Sequence, residues 1–281
     1  MNFKPLAVLI LFSMAFHSVG LSQETHLYKT ADSSNLYLEV YNPPDLNASQ
    51  TAPAMLFFFG GGWVGGNKNQ FQHHAQYFSQ RGLVCFLVDY RVKNIHGTSP
   101  FESLMDAKSA IRYIRKNAKK FNIDPNRIIA AGGSAGGHLA AATAIIPGFN
   151  DPNDDAKTSC VPDALILFNP VIDNGPGGYG YDRIGDDYKD FSPLHNLKKS
   201  LPPTIFFLGT KDKLIPVETA KYYQRVSEKL GGLCPLFLYE DEEHGFFNYS
   251  HFEHYKDTII KTDQFLQSLG YLNPEPIIEI K

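Results

Sequence analysis

The chain alternates between short runs in which nearly every position is apolar and longer stretches in which apolar residues recur at three and four places. Runs of the first kind predict strands covered on both faces, and stretches of the second predict amphipathic helices that pack by one stripe. Residues 28–41 differ: Leu36, Leu38 and Val40 alternate with Tyr37, Glu39 and Tyr41 until Asn42-Pro43-Pro44-Asp45 breaks the pattern. That period of two predicts half-buried antiparallel strands at a sheet edge. Continuous apolar runs follow at 54–59, 83–90, 128–131, 165–168, 205–208 and 236–239. Helical spacing lies between them. It appears at 70–81, with Phe71, Ala75 and Phe78 on one stripe, and at 101–121, with Leu104, Ile111 and Ile114 inward and Arg112, Arg115, Lys116, Lys119 and Lys120 outward. It returns in the Ala-rich stretch from Leu139, which Pro147-Gly148 stops, and at 217–230 and 252–269. Alternation of this kind implies an α/β fold, a mostly parallel sheet with helices on both faces. A reacting site is then expected at the carboxyl ends of the strands.

One junction organises the rest. The strand through Ile128-Ile129-Ala130-Ala131 runs into Gly132-Gly133-Ser134-Ala135-Gly136, and a helix follows at once. A serine at the apex of so sharp a turn is pushed clear of the sheet, and Gly132 and Gly136 are expected to keep strand and helix from colliding. The helix start beneath it favours negative charge developing nearby. Gly-x-Ser-x-Gly alone has many chance matches, so the other strand ends must decide. The run at 205–208 leads to Asp212, and the run at 236–239 leads to His244. Chain order Ser, Asp, His is that of the α/β-hydrolase arrangement. A serine hydroxyl is a poor nucleophile alone, so His244 would take its proton and Asp212 would hold the imidazole in the right tautomer. Asp173, after the run at 165–168, is the alternative acid. The run at 54–59 ends in Gly60-Gly61-Gly62-Trp63, whose backbone can approach a substrate without a Cβ in the way. The N–H groups of Gly61 and Gly62, with that of Ala135, are the expected oxyanion hole.

Taken together, Gly-Gly-Gly-Trp after a strand, Asp-Tyr-Arg at 89–91, Gly-Gly-Ser-Ala-Gly-Gly-His-Leu-Ala at 132–140, Gly-Thr-Lys-Asp at 209–212 and His-Gly-Phe at 244–246 resemble the α/β-hydrolase esterases. The most similar groups are the hormone-sensitive-lipase-like esterases and the bacterial feruloyl and acetylxylan esterases, BD-FAE-like. The resemblance spans nearly all of the chain beyond its first residues. It implies a cofactor-free serine hydrolase of acyl esters, and secreted relatives often remove acetyl or feruloyl groups from plant polysaccharide; no large cap domain is expected, because little sequence lies between the export signal and the first strands. The chain departs from the family at Phe59, where a histidine usually precedes the glycines. That histidine is a loop brace rather than the general base, so Phe59 is expected to brace by packing.

Composition narrows the picture. Lys4 followed by the apolar stretch 6–12 and small residues at 20–22 reads as an export signal over 1–22, leaving a single hydrolase domain over 23–281 and a secreted or periplasmic location. A net charge of −3 gives no basis for nucleic acid as a partner. Small-molecule or polysaccharide esters remain, and neither metal nor other cofactor is implied. Of the three cysteines, Cys85 and Cys234 lie in apolar runs, while Cys160 lies in a polar loop and is the candidate for a disulfide. His73-His74 reads as a solvated helix face and Asp106 as structural. His138, one turn beyond Ser134, is expected to pack behind it. The Gly/Tyr-rich stretch 174–183 places Tyr179 and Tyr181 where they would stack on a sugar or an aromatic acyl group, and Trp63 and Phe246 either line the pocket or brace their loops. The rival readings are a lipase or serine peptidase of the same fold and a non-enzymatic binding protein on a hydrolase scaffold.

Overall fold

A computed structural model describes residues 23–44, 46, 47 and 49–281. The expected export signal over 1–22 lies outside the described residues. In chain order the elements are β1 (Gln23–Ala31), β2 (Ser34–Tyr41), β3 (Ala52–Phe58), α1 (Gln72–Gln80), β4 (Val84–Val88), α2 (Lys93–His96), α3 (Pro100–Lys116), β5 (Ile123–Gly133) and α4 (Ala135–Ile145). There follow β6 (Ala164–Phe168), α5 (Tyr181–Ile184), α6 (Tyr188–Phe191), β7 (Thr204–Gly209), α7 (Val217–Lys229), β8 (Leu236–Tyr239) and α8 (Phe252–Ser268). The strands form one eight-stranded sheet in the order β1-β2-β4-β3-β5-β6-β7-β8. β1, β2 and β4 pair antiparallel, and every pairing from β4 through β8 is parallel.

Alternation along the buried strands sorts the core into two layers. Leu56, Phe58, Phe86 and Val88 face the side covered by α3, α4 and α7, whereas Met55, Phe57, Cys85 and Leu87 face α1 and α8. This is the α/β-hydrolase layout that the alternation of runs and helices predicts, with β3, β4, β6 and β7 buried along their whole length and the edge strands β1 and β8 partly exposed. Every parallel strand delivers its carboxyl end to one edge of the sheet, and β3, β5, β6, β7 and β8 lie side by side there. Among the described residues no helix is long and apolar enough to cross a membrane.

Several local expectations are corrected. The helix expected to reach Phe121 ends at Lys116. Asn122 takes a left-handed conformation, and Phe121 turns back into the core against Phe86. Arg112 does not face solvent: it is buried because the 150–158 loop crosses the helix and supplies Asp154 Oδ2 at 2.8 Å and Asn150 Oδ1 at 2.6 Å as acceptors. Cys160 is also buried, its thiol directed at the carbonyl of Thr143, and all the cysteines are free. His74 is not on a solvated face. It is fully buried among Phe57, Phe71, Phe168 and Tyr255, and its neighbour His73 stacks on Tyr249 with ring centroids 3.4 Å apart.

Candidate active site

The turn between β5 and α4 holds Ser134 at φ 53° and ψ −121°, a conformation that L-residues rarely adopt and that persists only where its surroundings impose it. Those surroundings are on both sides. Ser134 donates its backbone N–H to Phe168 O and accepts from Val171 N, which ties the turn to the end of β6. Close packing at the glycines completes the constraint. A Cβ at Gly132 would lie 2.3 Å from the carbonyl oxygen of Gly136, so Gly132 does part strand from helix. Gly136 has a different neighbour: its Cβ would meet the carbonyl oxygens of Phe58 and Phe59 at 2.0 and 2.4 Å. It therefore clears the end of β3, not its own strand.

Asp212 follows β7 and His244 follows β8. His244 Nδ1 lies 2.7 Å from Asp212 Oδ2, and Asp212 Oδ1 accepts from the N–H groups of Leu214 and Ile215 at 2.8 and 3.0 Å. The carboxylate is thus held on three sides, with its side chain out of solvent, while His244 keeps one edge exposed. His244 Nε2 faces Asn169 Nδ2 at 3.3 Å. Ser134 is half-buried, and its hydroxyl makes no hydrogen bond among the described residues. Contacts of this kind commonly tighten only when substrate binds. Asp173, the alternative acid, is turned elsewhere: it accepts from Gly175 N at 2.9 Å and lies 3.8 Å from His195.

The glycine loop after β3 is shaped by its backbone. Gly61 has φ +129°, and a Cβ there would come within 2.2 Å of Gly65 O, so only glycine closes this turn. The N–H groups of Gly61, Gly62 and Ala135 have no partner among the described residues, as donors awaiting an oxyanion would. Phe59 braces the loop, its ring stacked on Tyr90 with centroids 4.0 Å apart while Tyr90 Oη donates to Phe59 O at 2.6 Å. Arg183, from the insertion between β6 and β7, caps the other side by donating to Gly62 O at 2.6 Å and lying over the rings of Tyr179 and Trp63.

Trp63 and Phe246 are each 1% exposed, so they belong to the frame of the site and not to its open surface. Tyr179 and Tyr181 remain half-exposed in the insertion, which folds into α5, α6 and short 3-10 turns instead of the plain loop its composition suggests. His138 packs behind the Ser134 turn as expected. It is fully buried, its Nε2 is 3.0 Å from Phe191 O, and its ring lies against Phe191 and Trp63. Burial pushes its pKa down to about 3, so it is a neutral strut at any working pH.

Comparison with known proteins agrees with this fold. The apo form of Thermogutta terrifontis esterase 2 superposes with a TM-score of 0.87 at 39% identity, covering 90% of this chain and 97% of that one. The chain belongs to the α/β-hydrolase esterases. The BD-FAE family model matches residues 38–174, from within β2, through the Ser134 turn, to the segment just past β6. The chain also resembles the Thermogutta protein with propionate and with butyrate bound, at 38% identity each and TM-scores of 0.85 and 0.86. Esterase LipC of Mycobacterium tuberculosis is 30% identical over 66% of the chain, and the acetylxylan esterase of Xylanibacter ruminicola 27% identical over 75%. The chain spans about half the length of these last two relatives, 50% and 43% respectively.

Sequence reasoning missed Gln70, Asn169, Asn248 and Arg183. Asn169 stood at a strand end, the one signal that would have found it. Gln70 and Asn248 carry none, because their partners are remote in the chain.

Proposed function

We propose that the protein is an exported serine carboxylesterase that hydrolyses short acyl esters, with acetylated or feruloylated plant carbohydrate as the favoured substrate. The observation that carries the reading is the convergence of the Asp212–His244 pair, the strained Ser134 and unpaired N–H groups of the glycine loop at one edge of the sheet. Ser134 Oγ attacks the ester carbonyl while His244 Nε2 takes its proton. The carbonyl oxygen gains negative charge and accepts from Gly61, Gly62 and Ala135 N–H. His244 then protonates the departing alcohol, leaving an acyl-serine, and the same histidine removes a proton from water for the second half. Asp212 stabilises the imidazolium throughout.

Short acyl groups are supported by the propionate- and butyrate-bound forms of the Thermogutta esterase, and the carbohydrate alcohol by the acetylxylan esterase relative. Tyr179 and Tyr181 are the proposed platform for the sugar or feruloyl ring. Export rests on the residues before position 23. The test is hydrolysis of p-nitrophenyl acetate, butyrate and octanoate beside acetylated xylan and methyl ferulate. Rates should fall with acyl length among the p-nitrophenyl esters. Ser134→Ala should abolish release, and Asp212→Asn should lower kcat by about 10⁴, whereas Asp173→Asn should leave it near wild type. A slow Asp173→Asn beside a fast Asp212→Asn would reassign the acid, and octanoate outrunning acetate would favour a lipase.

A further inference from the structure

A line of carboxamides joins the glycine loop to the histidine loop. Gly60 N–H donates to Gln70 Oε1 at 2.7 Å, and Gln70 Nε2 donates to Asn248 Oδ1 at 2.9 Å. Asn248 Nδ2 donates to Gly245 O at 2.8 Å, the residue next to His244. Gly245 N–H donates in turn to Asn169 Oδ1 at 3.0 Å, and Asn169 Nδ2 meets His244 Nε2 at 3.3 Å. A backbone N–H can only donate and a carbonyl can only accept. Each carboxamide therefore has its orientation imposed by a backbone group: Gly60 N–H sets Gln70, Gly245 O sets Asn248, and Gly245 N–H sets Asn169. No link can reverse without stranding two like groups face to face.

The direction has a chemical consequence at the far end. Because Asn169 must present its NH₂ group, His244 Nε2 must be the accepting nitrogen. The proton then resides on Nδ1, against Asp212 Oδ2 at 2.7 Å. That is the tautomer a general base needs. We propose that Gln70, Asn248 and Asn169 are positioning residues. They form a polar brace that sets the oxyanion loop against the His244 loop and selects the working tautomer of the histidine. The proposal rests on the esterase reading for what the loops do, and on the hydrogen bonds alone for their coupling.

The experiment combines kinetics with hydrogen–deuterium exchange on Gln70→Met, Asn248→Leu, their double variant and Asn169→Leu. On p-nitrophenyl acetate each single variant should lose about 10- to 100-fold in kcat with KM within about twofold. The double should lose no more than its worse single, because both cut one chain. Exchange should quicken in both loops, 58–66 and 243–248, whichever loop carries the substitution. Multiplying losses, exchange changes confined to the substituted loop, or lowered melting temperature with kcat unchanged would each overturn the brace. Should Asn169→Leu not fold, Asn248→Asp, which keeps the acceptor for Gln70 and loses only the donor to Gly245 O, carries the same test. If wild type is no faster than Ser134→Ala, the esterase reading fails, while the exchange data still decide whether the loops are coupled.

Discussion

At the scale of single residues, the site is built from ordinary side chains in unusual surroundings. His74 shows how far surroundings outweigh residue type. Neither ring nitrogen has a partner among the described residues, and burial pushes its pKa down to about 3. Unfolded, near 6.5, it would take up a proton that the folded protein refuses. The stability it contributes is thus present above about pH 6.5 and is lost as pH falls toward 3, at up to about 1.4 kcal/mol per pH unit. Replacing it with phenylalanine suits the ring cage of Phe57, Phe71, Phe168 and Tyr255 and removes the titration. Urea unfolding of His74→Phe between pH 6 and 4 should therefore slope less steeply than wild type by about that amount. Parallel curves would mean that folded His74 holds a proton.

At the scale of elements, the Ser134 turn takes its shape because β5, α4 and the end of β3 approach more closely than side chains permit. Gly136 is the contact point, with the carbonyls of Phe58 and Phe59 where its Cβ would be. Neither carbonyl can move without carrying the glycine loop along. Gly136→Ala should accordingly cost about 3 kcal/mol or more, seen as a lower melting temperature and soluble yield. Gly148→Ala, where an added Cβ meets nothing within 4 Å, should stay within about 0.5 kcal/mol of wild type. Equal behaviour of the two would show that β3 and α4 yield to each other easily.

At the scale of the whole molecule, the antiparallel edge must be joined to the parallel body, and Asp106 does this from α3. Its fully buried carboxylate takes Lys29 of β1 at 2.7 Å and Arg91, beyond β4, at 2.8 Å, and accepts from Arg91 N at 3.0 Å. Lys29 reaches on to Asp151 at 2.6 Å. Such a cluster adds little over apolar packing, but removing one partner leaves the others buried and uncompensated. Asp106→Ala should cost about 3–5 kcal/mol by urea unfolding while kcat of the folded protein stays near wild type. A loss of turnover without a loss of stability would give Asp106 a part in the chemistry.

Local pattern was enough for the order of the strands and the long helices, the turn at Ser134, and the residue types at the ends of β7 and β8. Each of these is written in neighbouring residues: a period of two or near four, a glycine where backbone must approach, a polar residue where an apolar run stops. What local pattern could not decide were contacts between remote parts of the chain. The outward-looking Arg112 is buried because a later loop lies over it, and His74 is buried because α8 and the His244 loop close a ring of aromatic side chains around it. Gln70 meets Asn248 across 178 positions of sequence, a distance no periodicity spans. Sequence determined which residue types stand at the strand ends; packing decided which side chains hold them in register, because burial and hydrogen-bond direction exist only once the layers have closed.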